Sequence, residues 1–170
     1  GDKFYLNIRS DSGAKNQMLL GYFDTATLGV DYAIDGKQLV DSGLSLTTVI
    51  DGNQYLIEGR AAFENSDIVP LTFETENPGQ FTIALSNLLG VFAGQQVIYL
   101  KDKLVGMNHN LKQGSYTFVS EAGDFSDRFE IVYSEANLTN SEVVLNPNSV
   151  VAYSDGQSVV VKSSEEFQNI

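Results

Sequence analysis

A single imidazole, His109 in Met107-Asn108-His109-Asn110, is the whole histidine complement of this chain. Cysteine is absent, which excludes thiolate nucleophiles, disulfides, iron–sulfur clusters and Cys-based zinc sites, and one histidine cannot build a two-histidine metal site. A Ser-His-Asp triad would have to depend on His109, whose polar setting reads instead as a solvent-facing turn. The sequence has no Gly-rich phosphate loop followed by Lys-Ser/Thr, no Gly-x-Ser-x-Gly elbow and no His-Glu-x-x-His motif. Carboxylates are the group in surplus. Glu58, Glu64, Glu74 and Glu76 lie on or beside expected strands, where a pair could act on a glycosidic bond, but solvated carboxylates on an outer sheet face are the plainer reading. Asp24, Asp31, Asp35, Asp41 and Asp51 offer the hard oxygen ligands that calcium seeks. No Asp-x-Asp-x-Asp-Gly loop occurs, however, and the Asp-Gly pairs are explained by turns. No cofactor is therefore expected, calcium being the one ion for which these oxygens leave room. Arg60 and Arg128 read as partners of neighbouring carboxylates rather than as ligand clamps, because an unpaired guanidinium is costly to bury. Eight tyrosines could form a sugar platform, yet with no tryptophan, core packing is the stronger expectation for them.

The elements that would position these groups are strands. Apolar residues recur at spacing two, and the punctuation is Gly, Asn, Asp and Ser rather than helix caps. Phe81, Ile83 and Leu85 share one face, as do Phe129, Ile131 and Tyr133, and Tyr116 pairs with Phe118 in the same way. Similar runs at 4–8, 18–23, 44–50, 55–58, 68–73 and 97–100 bring the expectation to about ten strands. Asp51-Gly52 and Asp155-Gly156 each separate two such runs as a tight hairpin requires, and Asp35-Gly36 is a third candidate turn. Pro70 suits an edge strand or the start of one. Residues 86–92 are the one candidate helical stretch, with Leu88, Leu89 and Phe92 on one side and Gly90 keeping it short.

The 170 residues carry 22 acidic and 10 basic side chains, a formal net charge of -12, so a phosphate backbone would be repelled and no nucleic-acid partner is expected. No apolar run reaches the roughly 18 residues needed to span a bilayer, so no membrane span is expected. Residues 1–134 read as one module, 135–140 as a linker of small and polar residues, and 141–170 as a unit with too few strands to close a sandwich alone.

Several segments taken in order carry a resemblance. Asn16 to Tyr22, Asp24-Thr25-Ala26-Thr27, Ile57-Glu58-Gly59-Arg60, Val69-Pro70-Leu71 and Tyr99-Leu100-Lys101-Asp102 are followed by His109-Asn110-Leu111, Ser115-Tyr116-Thr117-Phe118 and Arg128 to Tyr133. Together they resemble the β-rich module that precedes the C-terminal sorting domain in surface and secreted cargo of the type IX secretion system of flavobacteria and their relatives, the Bacteroidetes. The stretch from Asn137 to Ile170, with Val143-Val144-Leu145-Asn146-Pro147-Asn148 and the Val-rich hairpin at Asp155-Gly156, is similar to the first half of a type C sorting domain.

The resemblance implies an all-β chain: an antiparallel β-sandwich, jelly-roll or immunoglobulin-like, followed by part of a small immunoglobulin-like sandwich. It also implies a non-catalytic role in protein transport. Residues 137–170 would belong to the signal read by the outer-membrane translocon and its shuttle β-barrel, placing the protein outside the cell or on its surface. No catalytic residue carries over. Sorting domains can be read through strand edges and turns, which makes Asn146, Pro147 and Asn148, together with Asp155 and Gly156, the candidate recognition residues. Asp24-Thr25-Ala26 resembles the O-glycosylation acceptor of this bacterial phylum, with Thr25 as the acceptor. Asn137-Leu138-Thr139 matches the N-glycosylation pattern, which a bacterial source would leave without meaning. The alternative to the secretion reading is a carbohydrate-binding or adhesive module in residues 1–134, with cell-surface glycans as partners.

Overall fold

The computed structural model describes residues 1–38 and 42–138, and the backbone of 150–154 and 159–163. The strands, in chain order, are Asp2–Ser10 (β1), Lys15–Tyr22 (β2), Gly36–Lys37 (β3), Leu44–Ile50 (β4), Asn53–Arg60 (β5), Ile68–Thr75 (β6), Gly79–Leu89 (β7), Tyr99–Asp102 (β8), Met107–Asn110 (β9), Tyr116–Ser120 (β10), Gly123–Val132 (β11), Val150–Ser154 (β12) and Val159–Ser163 (β13). Among the described residues the remaining regular elements are short 3-10 turns, so the all-β expectation holds.

The first eleven strands form one sheet in the order β10-β7-β1-β2-β5-β4-β6-β11-β8-β9, with β3 added to β5. The sheet curls until it is nearly closed like a barrel, an arrangement a β-sandwich shares. Its pairs are antiparallel with one exception, β2 against β5, where Leu19 to Tyr22 run parallel to Ile57 to Arg60. The expectation of a purely antiparallel sheet is corrected at that point, because a parallel pair needs a long connection and residues 23–52 supply it. The bend of the sheet lies in β4: Leu44 to Thr47 pair with β6, and Thr48 to Ile50 pair with β5. β4 leaves β6 at Thr72, so β6 is paired on one side only at Pro70, where β11 faces it. A residue without an N–H is tolerated there for that reason.

Alternation sets the core. Phe4, Leu6 and Ile8 of β1, Met18 and Leu20 of β2, Leu71 and Phe73 of β6 and Phe81 and Ile83 of β7 all point inward. Asp51 and Gly52 both have positive φ, 50° and 78°, and join β4 to β5 in the tight hairpin their sequence predicts. Two local expectations are corrected. Residues 86–89 continue β7 rather than starting a helix, with a bulge where Asn87 takes a φ of 50°, and the chain turns only at Gly90–Ala93. Asp35-Gly36 is not a turn corner: the turn spans 31–35, closed by the Ile34 and Asp35 amides on the Asp31 carbonyl, and Gly36 already belongs to β3.

Glu135–Leu138 form a 3-10 turn that packs back on the sheet, burying Leu138 against Tyr99 and Val132. Lys101 Nζ, itself buried, donates to the Asn137 carbonyl at 3.0 Å and pairs with Glu130 at 3.2 Å. The first part of the segment read as a linker thus belongs physically to the module. β12 and β13 pair as an antiparallel hairpin, Val150 opposite Ser163. The recognition candidates Asn146, Pro147, Asn148, Asp155 and Gly156 lie outside the described residues.

Candidate functional site

Two arginine-centred clusters occupy opposite ends of the interior. In the first, strand alternation turns Glu58 and Arg60 of β5 to the same side. Arg60 Nη1 bonds Glu58 Oε1 at 2.6 Å, and its Nε and Nη2 grip both oxygens of Asp67 at 2.8 and 2.9 Å. Tyr22, at the end of β2, donates to Asp67 Oδ2 at 2.8 Å, and its hydroxyl lies 2.7 Å from that of Tyr133, just past β11. A phenol has one proton to give, so with the Tyr22 proton on the carboxylate, the Tyr133 proton fills the contact between the hydroxyls. Phe63 packs edge-on against both rings and Phe4 against that of Tyr133, while Phe92 lies tilted against both.

The electrostatics follow from burial and charge. Burial alone would push the Asp67 carboxyl up, but the hydrogen bonds and charge of Arg60, with the Tyr22 hydroxyl and the Ile68 amide, hold it below its ordinary 3.8. Burial likewise works against the Arg60 charge and is outweighed by Asp67 and Glu58, leaving the guanidinium more firmly protonated than usual. Burial, then the neighbouring Tyr133 and Asp67, pushes the Tyr22 hydroxyl far above its ordinary 10, and burial does the same to Tyr133. Glu58 is only 2% exposed, and its second oxygen, Oε2, is buried without a hydrogen-bond partner.

The second cluster centres on Arg128, which sits in the bulge of β11 between Phe125 and Phe129. Its Nε and Nη2 hold the two oxygens of Asp102 at 2.9 and 2.8 Å, and Nη1 reaches the Val119 carbonyl of β10 at 3.3 Å. The guanidinium lies over the rings of Phe118 and Phe129, 4.7 and 4.9 Å from their centroids. Tyr116 of β10 donates to Asp102 Oδ2 at 2.8 Å, and burial together with this carboxylate raises its hydroxyl well above the ordinary value. Asp102 and Arg128 are 1% and 5% exposed. β9 and β10 end the strand order without pairing, so these side chains bridge the seam where backbone bonds do not.

The expected carboxylate partners of both arginines are therefore found, while Asp67, Asp102 and the three tyrosines escaped sequence reading. A signal for Asp102 was present: it stands two residues after Leu100 in a strand, on the inward face. Of the acidic candidates, Glu58 is taken by Arg60, Glu74 accepts from Gln54 and from Ser45, and Glu64 lines a cavity of about 440 Å³ beside Arg60 and Asp67. Asp31 accepts from the Thr27 amide and hydroxyl, and Asp35 from the amides of Asp31 and Gly59. Among the described residues no three His, Asp or Glu side chains converge as a metal site. Asp24 is exposed, Asp51 is a hairpin corner and Asp41 lies outside the described residues. His109 is on β9 rather than in a turn, half-buried, with Nε2 2.8 Å from the Gly114 carbonyl and its ring beside Tyr116. A carbonyl only accepts, so Nε2 carries the proton. Thr25 is exposed, in the turn that the Ala26 amide closes on the Phe23 carbonyl. Among the described residues no helix is long and apolar enough to cross a membrane.

A third feature lies outside the core. The outward residues of β1, β2 and β7 line an open trough of about 480 Å³, with Asn7, Arg9, Lys15, Gln17 and Thr82 on its walls and Ser115 at one end. Gln17 Nε2 donates to Asn7 Oδ1 at 2.6 Å, Asn7 Nδ2 donates to Ser86 Oγ at 2.7 Å, and the hydroxyls of Thr82 and Thr117 lie 3.1 Å apart. A family model described as a domain of unknown function (DUF8693) matches residues 1–133. The chain belongs to that family. The DUF8693 match takes in both arginine clusters whole and ends at Tyr133, the last side chain of the first. No curated protein and no solved structure matches the chain.

Proposed function

We propose that this chain is a non-catalytic module of a larger exported protein, carried through the type IX secretion system and displayed on or released from the cell surface, with residues 141–170 in the signal read by the translocon and shuttle barrel. The observation that supports it is where the shared motifs fall. Tyr22, Glu58, Arg60, Asp102, Tyr116, Arg128 and Tyr133 all come from the segments that carry the resemblance, and most of their polar atoms bond each other or Asp67, tying the sheet together. A signature of this kind marks a scaffold. In a flavobacterial host, a reporter joined to this chain should reach the surface or medium, and removal of residues 141–170 should hold it in the periplasm. Equal export of both forms would refute the reading. The open trough on β1, β2 and β7, with amide and hydroxyl side chains on its walls, favours a second reading for residues 1–134, a carbohydrate-binding module.

A further inference from the structure

Arg9 and Lys15 stand directly opposite each other on β1 and β2, both exposed. Like charges in that register destabilise a sheet. The chain has 22 carboxylates to offer, yet neither cation has an ion-pair partner among the described residues. Elsewhere Arg60, Lys101, Lys103 and Arg128 are all paired with carboxylates, and Lys112 is held by the Phe92 and Gly94 carbonyls. The described cations left without such partners are Lys3, Arg9, Lys15 and Lys37, three of them on the two adjacent strands β1 and β2. An unbalanced positive pair in a chain of net charge -12 marks a place for an external anion.

The rest of the trough says what else that anion carries. Beside the cations lie the amides of Asn7 and Gln17, fixed by their hydrogen bonds to each other and to Ser86. Hydroxyls come from Thr82 and Ser115, and the small side chain of Ala84 is part of the lining. Oriented amides and hydroxyls pair with the adjacent hydroxyls of a sugar ring, a guanidinium grips a carboxylate by two parallel bonds, and an extended trough suits a chain of several residues. We infer that the β1–β2–β7 trough binds an acidic oligosaccharide, one whose rings bear carboxylates, with Arg9 and Lys15 on a carboxylate and Asn7 and Gln17 on ring hydroxyls. This rests on the carbohydrate-binding reading of residues 1–134 and narrows it to one class of glycan.

Isothermal titration of the 170-residue chain with oligogalacturonate, alginate and hyaluronan oligosaccharides, a neutral galactan oligosaccharide and a poly-glutamate peptide tests it. At least one uronate oligosaccharide should bind, more weakly as salt rises. The double variant Arg9→Gln, Lys15→Gln should lose at least tenfold in affinity, while the charge-matched Lys3→Gln, Lys37→Gln variant keeps it. Because relieving a like-charge pair cannot weaken the sheet, the first variant should also melt no lower than the wild type, which separates lost binding from lost folding. Equal affinity for poly-glutamate, or uronate binding unaffected by the double variant, would overturn the assignment. Binding of the neutral oligosaccharide alone would overturn the acidic specificity and leave the carbohydrate-binding reading standing. Silence from every saccharide would remove both.

Discussion

Asp67 shows at residue scale how the interior handles charge. Removing one partner from a partly buried ion pair leaves the other uncompensated, which makes such a residue sensitive to its own protonation. In the folded protein the Asp67 carboxyl binds its proton more weakly than in the unfolded chain, where its ordinary value is 3.8. Its contribution to stability is therefore complete above that value and is lost as pH falls through the lower, folded one. The tyrosines work in the opposite direction. Tyr22, Tyr116 and Tyr133 keep their protons beyond 10, where the unfolded chain releases its own, so stability declines as pH rises above 10. Thermal midpoints followed from pH 6 to pH 2 should fall in the wild type, and the slope should flatten in Asp67→Asn, although that variant starts from a lower midpoint.

At the scale of elements, the segment 23–38 is laid against β5, by the β3 pairing, by backbone bonds at Phe23 and Gln38, and at Gly59. The Gly59 amide donates to Asp35 Oδ1 at 2.7 Å, and a Cβ on Gly59 would come within 2.2 Å of Ile34 Cγ2. Gly59→Ala should displace the 31–35 turn and cost about 1–3 kcal/mol by overpacking. Urea unfolding gives the loss, and hydrogen exchange at Ile34 and Asp35, whose amides close that turn, shows whether it is local. These contacts also mark the limit of what the sequence discloses. Most strands were legible because inward residues repeat at spacing two, and the Asp51-Gly52 hairpin because its two positive φ values demand those residue types. Leu88 and Phe92 mislead, since their spacing also fits one turn of helix, and only the pairing of β7 with β1 decides between them. Arg60 could be assigned a carboxylate from chemistry alone. Which carboxylate, and that Tyr133 would join it from 111 residues beyond Tyr22, depends on a strand order that no local pattern encodes. The trough escaped for the same reason: Arg9 and Lys15 become informative only once their register is known.

For the molecule as a whole, the packed module takes in Leu138 and does not stop at β11. Leu138 is 1% exposed, and the turn that carries it covers Lys101. A chain ending at Ser134 should be less stable than one ending at Leu138 by about 1.5–3 kcal/mol, the value of one buried leucine, as measured by urea unfolding of the two. The seam has a further consequence, in the time the chain takes to become a folded object. The β1–β2 hairpin can form as soon as residue 22 is made, but the other edge of β1 waits for β7, with Ser10 opposite Phe81, and the seam stays open until Arg128 arrives to hold Asp102 and Val119. Most stabilising contacts join distant parts of the chain, which places folding in the slow range of milliseconds to seconds and leaves unpaired strand edges exposed meanwhile. A protein built this way stays threadable and adhesive for most of its synthesis, and becomes rigid only when its last strands are in place.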